Sequence, residues 1–174
     1  MLKYYESILG RPDKEVKFVD KEGHTVFIYK WRNTKEDVPI YSTNGASKFL
    51  TAQEGKRCEF FIGLTPEVDS IAESLAEIAL EGIGSNVAPN YGDSITLSEP
   101  LWDGTEMRSM LFERGSEIFP PVRIGENHIH FIKLIPLFDN ELSFKKKYGR
   151  EKLWNRFEEK LVPFWKSDRG PFRF

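Results

Sequence analysis

Apolar and polar residues alternate with a changing period along the 174-residue chain, and the changes divide it into elements. Residues 1–9 read as a short helix that Gly10-Arg11-Pro12-Asp13 breaks. Residues 15–20 and 24–31 are β-rich runs joined by Lys21-Glu22-Gly23, which predicts a hairpin. In the second run Thr25, Phe27, Tyr29 and Trp31 share one face while Val26, Ile28 and Lys30 share the other. After a polar loop over 33–37, residues 38–42 form a short extended piece ending in Thr43-Asn44-Gly45, and 57–64 form the next strand.

The period then lengthens. From 66 to 81, Val68, Ile71, Leu75, Ile78 and Ala79 recur at helical spacing, with Thr65 and Pro66 as expected cap and first-turn proline. Asp69, Glu73, Glu77 and Glu81 climb the opposite side four residues apart, predicting a solvent-facing acidic row. Each like-charge pair at that spacing costs about 0.2–0.5 kcal/mol, and only Glu67 and Asp69 are expected to gain from the positive helix start. Gly82-Ile83-Gly84 is expected to end the helix, followed by a loop over 85–92. Residues 95–97, 107–113 and 128–138 are further strand candidates, the last not expected to stay regular beyond Ile135 because of Pro136. Residues 141–160 return to a helical period, with Leu153, Trp154, Phe157 and Leu161 as the apolar stripe and Pro163 as the stop. The tail from Phe164 to Phe174 alternates aromatic and basic residues and is expected to strap over the core.

The pattern predicts a single α+β domain over 1–174, with an N-terminal helix over 1–10 and a C-terminal tail over 161–174. A mixed, mainly antiparallel β-sheet is expected to pack against the helices. At 40% hydrophobic and 14% aromatic content, the chain has enough apolar surface for one sizeable core.

Charge changes this picture more than composition does. Between Cys58 and Met107 there is no Lys or Arg, and ten acids give that stretch a charge of −10 within a total of −2. Glu73, Glu77, Glu81, Asp93 and Asp103 are therefore candidate contacts for a basic partner. An acidic surface that serves solubility alone explains the same residues. A nucleic-acid ligand is disfavoured, because the coherent charge block has the wrong sign. No secretory leader is expected from the first residues, and the most apolar run, 129–138, is too short for a bilayer and carries Lys133. Cys58 is the sole cysteine, within a strand-like run, and is expected to pack in the core of a cytoplasmic protein.

Catalytic signals are weak. His128 and His130 form an H-x-H pair on one strand face, but a third metal ligand would have to come from His24 or a distant carboxylate. No nucleophile elbow, phosphate loop or dinucleotide fingerprint occurs. The expectation is a non-enzyme with no cofactor and no metal, whose partner is another protein. A metal-dependent hydrolase is the minority alternative.

Four features in order resemble the Suppressor of fused domain family. They are Tyr41-Ser42-Thr43-Asn44-Gly45-Ala46-Ser47, then Arg57-Cys58-Glu59-Phe60, then the amphipathic helix, then Leu134-Ile135-Pro136-Leu137 followed by Glu141. The similarity runs over roughly residues 24–160. It implies an α+β domain that works by protein binding without catalysis. It also implies, from stand-alone bacterial relatives, an immunity protein or antitoxin that neutralises a cognate toxin, often a nuclease, by binding it. An adaptor that binds a peptide at a sheet edge is the alternative. The motif residues Thr43, Asn44, Gly45, Ser47, Arg57, Glu59 and Glu141 are structural or functional candidates. Thr43, Asn44 and Ser47 are able to satisfy backbone groups locally, and Arg57 and Glu59 are expected to form an ion pair.

Overall fold

The computed structural model describes residues 1–35, 37–48, 57–85, 90–115 and 117–174. Much of the loop expected over 85–92 lies outside them. Eight strands form one mixed sheet: β1 (Lys14–Val19), β2 (Thr25–Trp31), β3 (Ile40–Asn44), β4 (Arg57–Gly63), β5 (Ser94–Thr96), β6 (Ser109–Arg114), β7 (Val122–Ile124) and β8 (Asn127–Leu137). The order is β1-β2-β3-β4-β8-β6-β5, with β7 also pairing β8. All pairs are antiparallel except β4 with β8, which run parallel from Arg57 opposite Ile129 to Phe61 opposite Lys133. That pair is reached through a crossover containing α2 (Ile71–Ser85), since parallel neighbours cannot be joined by a tight turn.

Strand alternation sends successive side chains to opposite sheet faces, and each face has its own helices. On one, Val26, Ile28, Cys58, Phe60 and Ile132 pack with Ile71, Leu75, Ile78 and Ala79 of α2. On the other, Tyr29, Trp31, Phe61 and Phe131 surround Tyr5 of α1 (Leu2–Leu9). Beside them, Leu111, Ile135 and Leu137 meet Leu142, Leu153 and Phe157 of α3 (Asp139–Tyr148) and α4 (Arg150–Glu159). Cys58 is buried, and loss of solvation pushes its thiol up to about 12, which leaves it inert as a nucleophile.

Several expectations fail for identifiable reasons. The long helix begins at Ile71 rather than beside Thr65 and Pro66, because the Thr65 backbone pairs with the tail: Trp165 O accepts from Thr65 N at 2.9 Å and Thr65 O from Ser167 N at 3.0 Å. It then runs through Gly82 and Gly84 to Ser85. β8 continues regularly past Pro136 to Leu137, with Pro136 opposite Met110. β4 accompanies β8 only to Lys133, so one edge at Pro136 faces no strand and a missing N–H is tolerated there. The helix expected over 141–160 is two helices divided at Gly149, whose φ of 91° favours glycine. Leu161 falls beyond α4 and is 85% exposed, so it leaves the apolar stripe. The strand β7 (Val122–Ile124), which pairs with β8, was not among the expected strands.

Candidate functional site

The T-N-G-x-S segment ends β3 and folds around one carboxylate. Glu59 of β4 is fully buried and accepts from Thr43 Oγ1 at 2.6 Å, Gly45 N at 3.0 Å, Ser47 N at 3.1 Å and Ser47 Oγ at 2.6 Å. Burial pushes its pKa up, and these donors oppose that shift. Thr43 Oγ1 also accepts from Phe60 N at 2.9 Å, tying β3 to β4 where the ladder has ended. Gly45 has φ of 129°, and a Cβ there would lie 2.6 Å from Thr25 O, so the close approach to β2 requires glycine. Asn44 points elsewhere, donating to Tyr29 Oη at 3.1 Å.

The expected Arg57–Glu59 ion pair does not form. Arg57 instead donates to Lys48 O at 3.2 Å. Both residues lie on β4, but four neutral donors, three on Oε1 and Thr43 on Oε2, already hold the Glu59 carboxylate. The α1 helix reaches this region as well, since Tyr5 Oη donates to Thr43 O at 2.7 Å and accepts from Ser42 Oγ at 2.9 Å.

Glu141, the other motif carboxylate, is also fully buried but takes the opposite solution. Arg169 of the tail grips it at 2.6 and 2.8 Å and donates to Pro136 O at 2.9 Å. Phe138 N and Phe172 N each donate to it at 3.0 Å, and the guanidinium lies over the rings of Phe138 and Phe157. Arg169 was missed by sequence reasoning; its only signal was an arginine among aromatics in Arg169-Gly170-Pro171-Phe172.

A third network holds the segment before α2. The buried Lys30 ammonium meets Glu67 at 2.9 Å and Asp69 at 2.5 Å; Lys14 meets Asp69 at 2.9 Å and Arg32 meets Glu67 at 2.8 Å. Hydrogen bonds from Arg32 and Lys30 hold the Glu67 carboxyl down at about 2, and those from Lys30 and Lys14 do the same for Asp69. These two acids therefore answer Lys14 of β1, Lys30 of β2 and Arg32 just beyond it, not the helix start as expected.

The acids of α2 and its surroundings are placed differently. Glu73, Glu77 and Glu81 are exposed along α2 and make no ion pair among the described residues. Partial burial, Glu81 and Glu99 push the Glu77 carboxyl up, which shows these groups sharing one field. Asp103 is beside the start of the helix, its N–H 3.3 Å from Ser70 Oγ. Asp93 lies apart, next to β5 and within the field of Lys145. The predicted five thus divide into a ridge, one flanking residue and one outlier.

His128 and His130 lie on β8, whereas His24 is in the β1–β2 turn and bonds Asp20 at 2.7 Å. Among the described residues no three potential metal ligands gather, and no helix is long and apolar enough to cross a membrane.

The family described as Suppressor of fused protein (SUFU) matches residues 20–170. A Suppressor of fused homolog from Neisseria gonorrhoeae has the same fold with a TM-score of 0.77 at 18% identity, covering 99% of this chain and 94% of that one. The Sufu–Fu complex contains a chain similar at a TM-score of 0.72 and 14% identity, with 97% and 88% covered. Drosophila Suppressor of fused gives a TM-score of 0.74 at 13% identity; 97% of this chain corresponds to 49% of that protein. No curated protein sequence matches.

Proposed function

This chain belongs to the Suppressor of fused protein family, and we propose that it is a non-enzymatic immunity protein that neutralises a cognate toxin with a basic surface by binding it. The observation that carries this reading is the outward row Glu73, Glu77 and Glu81, set in a stretch without Lys or Arg and reinforced by Glu99. Such a row costs local helix stability and suits a partner that presents a cationic substrate site, as a nuclease does. Complementary charge steers association and disfavours uncharged competitors. One relative acts in a protein complex, the Sufu–Fu assembly, which favours protein binding over catalysis.

The test is co-expression with the product of the adjacent gene. Relief of growth arrest and co-purification are expected for the native chain, and loss of both for the combined variant Glu73→Lys, Glu77→Lys and Glu81→Lys. A harmless neighbour that does not bind overturns the immunity reading. Unchanged affinity of the triple variant removes the ridge.

A sheet-edge adaptor is the second reading, favoured by β1, which ends the strand order and has exposed residues along its length. Backbone pairing there would depend little on salt, whereas ridge binding weakens steeply as salt rises.

A further inference from the structure

β4 and β8 part company after Phe61 and Lys133, and a cavity of about 520 Å³ opens where they diverge. This is within the roughly 300–1,000 Å³ that small-molecule sites occupy. Its walls are mainly apolar: Ile8 and Leu9 of α1, Val38, Ile118 and the tail residues Phe164 and Trp165. Into it projects Lys133, from the middle of the central strand.

Lys133 differs from three other sheltered cations of the molecule. Lys30 has Glu67 and Asp69, Arg150 has Glu113 at 2.5 Å, and Arg169 has Glu141. The Lys133 ammonium sits 5.3 Å from the centre of the Phe164 ring and makes no ion pair among the described residues. Its cross-strand neighbour, Glu113, is already engaged by Arg150 through both oxygens. Among the described lining residues, the exposed Lys35 and Glu117 oppose each other in sign, so the uncompensated charge there is that of Lys133.

We propose that this cavity binds a small amphiphilic carboxylate, its head on Lys133 and its apolar body against Ile8, Val38 and Ile118. Lys133 is half-buried; an aromatic face supports its charge but accepts no conventional hydrogen bond, and a carboxylate supplies acceptors in place of water. The site is independent of the acidic ridge, which lies on the opposite face of the sheet with α2.

Calorimetric titration with octanoate tests the assignment, with octylammonium and 1-octanol as isosteric controls. Saturable one-to-one octanoate binding is expected, with octylammonium weaker by about tenfold or more, the scale of one charge-assisted hydrogen bond. Lys133→Met should abolish the preference for octanoate over octanol, Lys133→Arg should retain it, and Ile118→Trp should block all three ligands. Near-ultraviolet circular dichroism checks that each variant is folded; if Lys133→Met unfolds, the arginine and tryptophan variants decide. Absence of saturable octanoate binding, equal binding of octylammonium, or full affinity in folded Lys133→Met overturns the proposal. Tighter binding of a tetrapeptide with a free C-terminal leucine would overturn the assignment to a small molecule.

Discussion

The carboxylates of the family motifs and those of the α2 ridge face opposite physical problems. Glu59 and Glu141 are withdrawn from water and both oxygens of each are hydrogen-bonded, by neutral donors around Glu59 and by Arg169 with two backbone N–H groups around Glu141. Glu73, Glu77 and Glu81 are left in water with one another for company. A buried charge must be satisfied within the fold or the fold fails, whereas an exposed one is free to serve something outside it. The contrast separates the two motif carboxylates, whose bonds lie within the fold, from the ridge, which is the surface proposed for a partner.

Removing the buried carboxylates should break the comparison most severely. Glu59→Ala leaves the Gly45 and Ser47 N–H groups and two hydroxyls without their acceptor, and is expected to cost about 3–5 kcal/mol in urea denaturation. A loss below about 1 kcal/mol would mean that the T-N-G-x-S turn holds itself together without Glu59. Arg169→Met strands Glu141 in the core and should cost a similar amount, about 3–5 kcal/mol. The double variant with Glu141→Gln should recover part of that loss, and strict additivity would refute the coupling. Gly45→Ala forces a Cβ to within 2.6 Å of Thr25 O at positive φ and should cost about 1–3 kcal/mol.

Acid should act through the intermediate case, Glu67 and Asp69. Their folded pKa values, about 2, lie below the values of about 4 expected in the unfolded chain. The stability they contribute is therefore present above pH 4 and lost as pH falls towards 2. Lys30→Met should flatten that acid limb in thermal melts taken across the range; an unchanged slope would dissociate Lys30 from it. The smallest effect belongs to the ridge. Glu73→Gln, Glu77→Gln and Glu81→Gln together should leave stability unchanged or raise it by a few tenths of a kcal/mol, measured by the same melts. A loss above about 1 kcal/mol would place these acids among the structural ones.

Periodicity determined much of this protein in advance. The alternation in residues 24–31 predicted which side chains share each face of β2, because the side-chain period of a strand is set by its own backbone; which face meets α2 it did not say. The three- and four-residue spacing of Ile71, Leu75 and Ile78 located the buried side of α2 and, by geometry alone, the outward row of acids. The motif residues were legible as a group, and so was the single-cysteine core position.

What the tertiary structure decided were the partners of charged groups and the ends of elements. Whether Glu59 meets Arg57 or the Thr43–Ser47 turn, whether Glu141 finds Arg169 twenty-eight residues away, and whether Thr65 caps a helix or pairs with the tail all depend on chain segments distant in sequence. Local pattern carries no information about such meetings, since a side chain's preference for a partner is expressed only after folding has brought the candidates within hydrogen-bond reach. The Lys133 cavity belongs to the same class: its lysine is visible in the sequence, but that it meets no ion-pairing acid among the described residues depends on the path of several distant segments around it.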